Sequence, residues 1–272
     1  MEWNNLKERL INSKHHYFHT DNGVLLCGDC SEILKIIPNE SVDLILTDPP
    51  YKISVEGNKI VRTYKHYNWK RRSDIGLDFG KWDRIWSSDK EYYDWVENWF
   101  SESVRLLNNK SWIYIFFDKQ KTGIFDLYLA PKYDIKARTI YVYVKTNPTP
   151  SFRKANWNSG TEHIWVGSKG ECKLKNFLEQ KYMSNYMLMP NASAYKKTDH
   201  PTEKPEKLIS HIIIVNTNEE DIVLDPFLGS GTTAVACEKL NRRWIGIEIS
   251  EEYCKIAKKR IEEEARQLKF NI

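Results

Sequence analysis

Two apolar runs near opposite ends of this chain stop at small, rigid turns that carry acids. That pairing restricts the fold more than any bulk property does. Val42-Asp43-Leu44-Ile45-Leu46 runs into Thr47-Asp48-Pro49-Pro50-Tyr51. Ile222-Val223-Leu224 runs into Asp225-Pro226-Phe227-Leu228-Gly229-Ser230-Gly231-Thr232-Thr233. A short apolar run bounded by turn residues reads as a buried strand. Further runs of this kind are Val24 to Cys27, Ser111 to Phe117, Ala137 to Lys145, Glu162 to Gly167 and Arg243 to Glu248.

Helical patterns fall between them. A helix is expected from Ser31 to about Ile37, stopped by Pro38. Ser88 and Glu91 have capping-box spacing ahead of an apolar stripe through Tyr92, Trp95, Val96, Trp99, Phe100, Val104 and Leu107. That period assigns Trp95 and Trp99 to core packing. Pro205 suits the first turn of a helix carrying Leu208, Ile209, Ile212 and Ile213, and Ser250 caps a last helix through Tyr253, Ile256, Ala257 and Ile261. Strands alternating with helices predict an α/β fold, a doubly wound, mostly parallel sheet covered on both faces.

With 272 residues, 41% of them hydrophobic, the chain can build one large domain or one domain with an inserted lobe. No apolar run approaches the ~20 residues of a membrane span. The first residues lack a secretory pattern, so a cytoplasmic protein is expected. Five scattered cysteines argue against a disulfide framework. Cys27-Gly28-Asp29-Cys30 has C-x-x-C spacing but no second ligand pair, so no metal site is expected.

In an open α/β sheet, ligands bind outside the C-terminal strand ends. The ends here carry Asp29, Asp48, the 225–233 turn and Glu248. Glu248 follows the glycine turn at nearly the ~20-residue offset at which an acid meets ribose hydroxyls. The turn lacks the lysine of a phosphate-binding loop. An alanine at the last position of a G-x-G-x-x-G/A pattern keeps a nicotinamide reading open. An acidic ribose reader without a phosphate lysine suits a phosphate-free nucleoside such as S-adenosylmethionine.

The Asp-Pro-Pro-Tyr turn suits a flat amine. An aromatic exocyclic amine is a poor nucleophile, because its lone pair is delocalised into the ring. Asp48 can accept one N–H and the Pro49 carbonyl the other, favouring the pyramidal nitrogen that attacks a methyl donor. Pro50 stiffens the turn, and Tyr51 can stack on the base, worth roughly 1–3 kcal/mol. No Pro-Cys dipeptide occurs, so covalent attack on a pyrimidine ring lacks its usual nucleophile.

With both motifs in this order, the chain resembles the β-class DNA amino-methyltransferases over most of its length. The resemblance implies a seven-stranded sheet whose last strand pair is antiparallel, and one methyltransferase domain over 1–272 with the catalytic motif before the cofactor motif. It implies S-adenosylmethionine as cofactor. Asp29 and Cys30 would contact its adenine, Glu248 its ribose, and Lys204 of Pro201-Thr202-Glu203-Lys204-Pro205 its methionine part. Asp48, Asp225, Phe227, Gly229, Ser230, Gly231 and Thr232 would complete that site. Lys145-Thr146-Asn147-Pro148 resembles the loop beside the target base.

Asp before Pro-Pro favours adenine, since relatives acting on the cytosine amine usually carry Ser. The implied partners are double-stranded DNA and a cognate restriction endonuclease, with the protein a monomer or homodimer. Rival readings are the cytosine N4 amine, RNA or protein glutamine as substrate, and a DNA-binding subunit without catalysis.

The net charge of +4 matters less than its local clustering. Lys59, Arg62, Lys65, Lys70, Arg71 and Arg72, interleaved with Trp69, lie in a basic aromatic loop expected over 56–83. These residues, with Asn147, Arg153 and Lys154, are the expected DNA contacts. Residues 169–200 stand where the family places its short target-recognition segment.

Overall fold

Among the described residues nine strands form one sheet, ordered β1-β2-β9-β8-β3-β4-β6-β5-β7. They are β1 (His16–His19), β2 (Gly23–Cys27), β3 (Val42–Thr47), β4 (Leu107–Phe117), β5 (Ile135–Lys145), β6 (Thr161–Lys169), β7 (Tyr186–Met189), β8 (Ile222–Asp225) and β9 (Arg243–Glu248). The helices are α1 (Trp3–Ile11), α2 (Cys30–Ile33), α3 (Asp89–Leu106), α4 (Ala130–Lys132), α5 (Glu206–Asn216), α6 (Thr232–Lys239) and α7 (Glu251–Phe270). This computed structural model describes residues 2–52, 86–148, 157–191 and 204–270. The expected basic loop from 56 to 83 therefore lies outside the described residues.

The five-strand centre β2-β9-β8-β3-β4 is parallel throughout. Its strands read as continuous apolar runs because successive side chains point to opposite faces and both faces are covered. All four residues of β8 are buried, as are Val24 to Leu26 and Leu44 to Leu46. β6 runs antiparallel to both β4 and β5. The seven expected strands are all present, but the expected count is too low by two.

The added strands are the two edges. β1 pairs antiparallel with β2, and β7 pairs parallel with β5. Both are short and half exposed, so neither carries the unbroken apolar run that marks a central strand. The expected Ser31 helix is also shorter, being α2 followed by a 3₁₀ turn over Leu34–Ile36. Leu107 opens β4 instead of closing α3.

The chain divides into two compact units, Met1–Pro49 with Glu97–Ile272, and Pro50–Val96. The first holds the whole sheet. There α6 packs against both α5 and α7. Glu238 of α6 accepts from Thr20 Oγ1 at 2.5 Å and Trp244 Nε1 at 2.7 Å, fastening the β1–β2 turn and β9 to that helix. Asn176 Nδ2 donates to the carbonyls of Ile214 and Thr217, both at 2.8 Å. That satisfies the end of α5 and docks the start of the 169–200 segment on it. In the second unit Trp86 meets Trp95 with ring centroids 4.7 Å apart, and Glu91 N donates to Ser88 Oγ at 3.1 Å as half of the expected cap.

Candidate active site

The ends of β3 and β8 are neighbours, since Leu44 and Ile45 pair in parallel with Val223 and Leu224. Thr47 Oγ1 donates to Asp225 Oδ1 at 2.8 Å, which ties the residue before Asp48 to the first residue of the glycine turn. Thr233 Oγ1 donates to Asp225 Oδ2 at 2.7 Å and Phe227 N to Oδ1 at 3.1 Å. Asp225 is buried, and burial pushes its carboxyl up to about 6 although the Thr233, Thr47 and Phe227 donors oppose this. Both oxygens are thus engaged inside the protein. Asp225 bolts the two motifs together.

The cofactor side is assembled from the tips of β2, β8 and β9. Gly229 N donates to Glu248 Oε2 and Ser250 N to Glu248 Oε1, each at 2.8 Å. Glu248 is buried; burial raises its carboxyl, and the backbone donors only partly offset that. Asp29 caps α2 by accepting from Ser31 N at 2.8 Å. The buried Cys30 thiol is pushed up to about 12 by burial and then by Asp29, so Cys30 offers an apolar wall.

Gly231 has φ +87°, and a Cβ there would sit 3.0 Å from the Ala257 Cβ, so only glycine fits. Arg260 of α7 donates to Ser230 O at 2.8 Å, Ser230 Oγ at 2.9 Å and Thr232 Oγ1 at 3.3 Å, which locks the turn from behind. Phe227 meets the Trp99 ring edge-on, with centroids 5.3 Å apart. Carboxylates at two strand tips and a turn without lysine fit a cationic nucleoside sulfonium better than a diphosphate. The donor set agrees with S-adenosylmethionine.

The amine side holds a chain of alternating charge. Lys204 Nζ lies 2.7 Å from Asp48 Oδ2 and 3.4 Å from Glu162 Oε2. Lys145 Nζ lies 2.7 Å from Glu162 Oε1. Burial alone would lower the Lys204 ammonium, but Asp48 and Glu162 outweigh it and the net shift is upward. Burial would likewise raise Glu162, yet Lys204 and Lys145 hold it down at about 2. Lys204, expected on the cofactor's methionine part, is therefore anchored on Asp48. Glu162 was not expected in the site, and Lys145 only as the first residue of the loop beside the target base. An acid opening the apolar run from Glu162 to Gly167 was the available signal, and a single sequence does not reveal its partner across the sheet.

Asp48 and Pro49 end the first unit, while Pro50 and Tyr51 belong to the second. Within that second unit, Tyr92 Oη donates to the Pro50 carbonyl at 2.9 Å, which stiffens the turn beyond what the prolines achieve. Asn147 Oδ1 accepts from Asn191 N at 2.5 Å. The other expected DNA contacts, Lys59, Arg62, Lys65, Trp69, Lys70, Arg71, Arg72, Arg153 and Lys154, lie outside the described residues. Among the described residues no three His, Cys, Asp or Glu gather as a metal would require, and no helix is long and apolar enough to cross a membrane.

Comparison with known proteins agrees with this geometry. Residues 42–259 match the family described as DNA methylase. The Type II methyltransferase M2.LlaDCHI of Lactococcus lactis subsp. cremoris is 31% identical, over 90% of this chain and 91% of the relative. M.HinfI of Haemophilus influenzae is 33% identical, over 88% of this chain and 68% of the relative. M1.HpyAVI, solved as a SAM complex, superposes with a TM-score of 0.64 at 28% identity, covering 87% of this chain and 98% of the other. The cytosine-N4-specific PvuII DNA methyltransferase shares the fold, with a TM-score of 0.70 at 19% identity over 94% and 95% of the two chains. Coupled motifs, a donor set suited to S-adenosylmethionine and these matches over most of its length lead to one conclusion: the chain belongs to the DNA methylase family and is an S-adenosylmethionine-dependent DNA methyltransferase.

Proposed function

We propose that this enzyme methylates the N6 amine of adenine within a short site in double-stranded DNA, acting on a base turned out of the helix. The observation that carries this reading is the Thr47–Asp225 hydrogen bond, which sets the amine motif beside the cofactor turn. S-Adenosylmethionine supplies an electrophilic methyl group on a sulfonium. Glu248 holds the ribose, and the turn from Phe227 to Thr232 holds the rest of the nucleoside. Asp29 and Cys30 flank the cofactor adenine.

Asp48 and the Pro49 carbonyl accept hydrogen bonds from the two amine N–H groups and favour the pyramidal nitrogen, whose lone pair is withdrawn from the ring π system. Tyr51 stacks on the base, compensating part of the few kcal/mol lost on unstacking. Lys204 Nζ lies 2.7 Å from Asp48 Oδ2 and fixes the direction of the carboxylate. That carboxylate orients the amine, and the acidic proton of the methylated product leaves to solvent. The basic stretch over Lys59 to Arg72, with Arg153 and Lys154, grips phosphates, and Asn147 borders the base.

Mass spectrometry of nucleosides from DNA treated with enzyme and S-adenosylmethionine tests the assignment. N6-methyladenine is expected. N4-methylcytosine alone would replace the adenine reading, and equal turnover on RNA of the same sequence would replace the DNA-specific one.

A further inference from the structure

Lys204 answers to two carboxylates, and only one belongs to the recognised motif. Glu162 comes from β6, the strand that runs against its neighbours, and it reaches the site through Lys204. Its Oε2 is sealed from solvent, and Lys204 Nζ at 3.4 Å is its charged neighbour. Its Oε1 is held by Lys145, the last residue of β5, at 2.7 Å. The four side chains carry two positive and two negative charges, so the cluster is neutral as a whole. Each alone would be costly to bury.

We propose that Glu162 is a positioning residue for methyl transfer, aiming the Lys204 ammonium at Asp48. The inference rests on the reading of Asp48 as the acceptor for the target amine. One Asp48 oxygen is fixed by Lys204, which sets the direction in which the carboxylate presents itself. An ammonium with one carboxylate partner can pivot about that contact. A second carboxylate on another strand removes this freedom, and Lys145 in turn pins the second carboxylate. The benefit is preorganisation: the acceptor stands in place before the base arrives.

Among the groups facing Lys204 are Asp48 just past β3, Glu162 from β6 and the Phe116 ring of β4, 5.0 Å from Nζ. Lys145 of β5 stands behind Glu162, and Asp225 of β8 lies close enough to feel Asp48. Removing the Glu162 charge leaves two cations against Asp48. The upward pull on Lys204 weakens while its burial persists, so Lys204 loses its proton at lower pH than in the wild type.

The test compares wild type, Glu162→Gln, Glu162→Asp and Asp48→Asn for kcat against pH on a DNA substrate, with S-adenosylmethionine affinity by calorimetry and melting temperature alongside. For Glu162→Gln, kcat falls about 10- to 100-fold, the size of a small misplacement at the reacting centre, while cofactor affinity holds. The alkaline limb of its profile moves to lower pH, and Glu162→Asp moves that limb back towards the wild type. An unchanged kcat in Glu162→Gln overturns the inference. So does a fall in kcat that tracks melting temperature with the alkaline limb in place. Should Glu162→Gln not fold, a kcat in Glu162→Asp identical to wild type overturns it equally, because the shortened side chain no longer reaches Lys204 as Glu162 does. Full activity in Asp48→Asn would instead refute the role of Asp48 itself, so the two failures are distinct.

Discussion

On the cofactor side Asp225 and Glu248 accept hydrogen bonds from hydroxyls and backbone N–H groups, whereas on the amine side Asp48 and Glu162 face ammonium groups. All four are carboxylates at or beside strand tips of one sheet, but neutral donors and cations hold them differently. Neutral donors do not repay full burial of a charge, so the Asp225 carboxyl rises to about 6 and that of Glu248 also rises. Cations do repay it, and Glu162 falls to about 2. The division suits the chemistry. A ribose hydroxyl needs an acceptor held in place by neutral donors, as Glu248 is by the Gly229 and Ser250 N–H groups. An amine that must pyramidalise needs an anion whose charge does not vary.

The contrast is broken most severely by neutralising the amine side. Asp48→Asn should lower kcat by roughly 10² to 10³, the cost of losing one preorganised electrostatic contact. Cofactor Kd should stay unchanged, because the cofactor turn does not depend on the Asp48 charge. Methyl transfer from labelled cofactor, with calorimetry, reads both; a loss of cofactor binding would mean that the two sides are not separable. Glu248→Gln should do the reverse. The new amide N–H faces the Gly229 or Ser250 N–H, and the ribose acceptor is lost, so affinity falls by about 2–3 kcal/mol while kcat at saturation survives. Thr47→Val strikes the joint between the sides. It removes a buried hydrogen bond to Asp225, worth about 1.5–3 kcal/mol where one partner is charged. The melting temperature should drop and both cofactor affinity and kcat should suffer, which an effect confined to one side would contradict.

How far the sequence reaches follows the same division. Strands buried on both faces announce themselves as apolar runs, and the turns after them show their chemistry in order. Hence β3, β8 and β9, Asp48, the glycine turn and Glu248 were readable. The edges β1 and β7 were not, because an edge strand is short and half wet, and its partner strand decides it. Nor was the charge cluster. Lys145, Glu162 and Lys204 lie on three separate segments, and only the antiparallel insertion of β6 between β4 and β5 brings Glu162 to Lys204. Arg260 was hidden in a C-terminal helix rich in charge, where a lysine or arginine ordinarily faces solvent. The tie between Asp225 and Thr47 was hidden for a related reason. A carboxylate at the head of a cofactor turn shows only its ligand chemistry until Thr47 and Thr233 are seen to donate to its two oxygens.

The smallest effect expected is also the most direct measure of the contrast. Asp225 has a folded value of about 6 against an ordinary 3.8, so between those values the folded protein holds a proton that the unfolded chain has released. Stability therefore falls as pH rises through this window. From pH 5 to pH 8 the loss from this group is about 1 kcal/mol. Glu162 acts in the opposite sense and at lower pH. Its folded value lies below the ordinary one, so its contribution is present above about 4.5 and disappears as pH falls towards 2. Urea unfolding of wild type and Asp225→Asn at pH 5 and pH 8 isolates the first contribution, since every other group titrates alike in both proteins. The stability difference between variant and wild type should shift by about 1 kcal/mol in favour of the variant at pH 8. Identical shifts with pH in the two proteins would mean that Asp225 is ionised throughout, and that the neutral donors around it hold a charge as well as the lysines hold theirs.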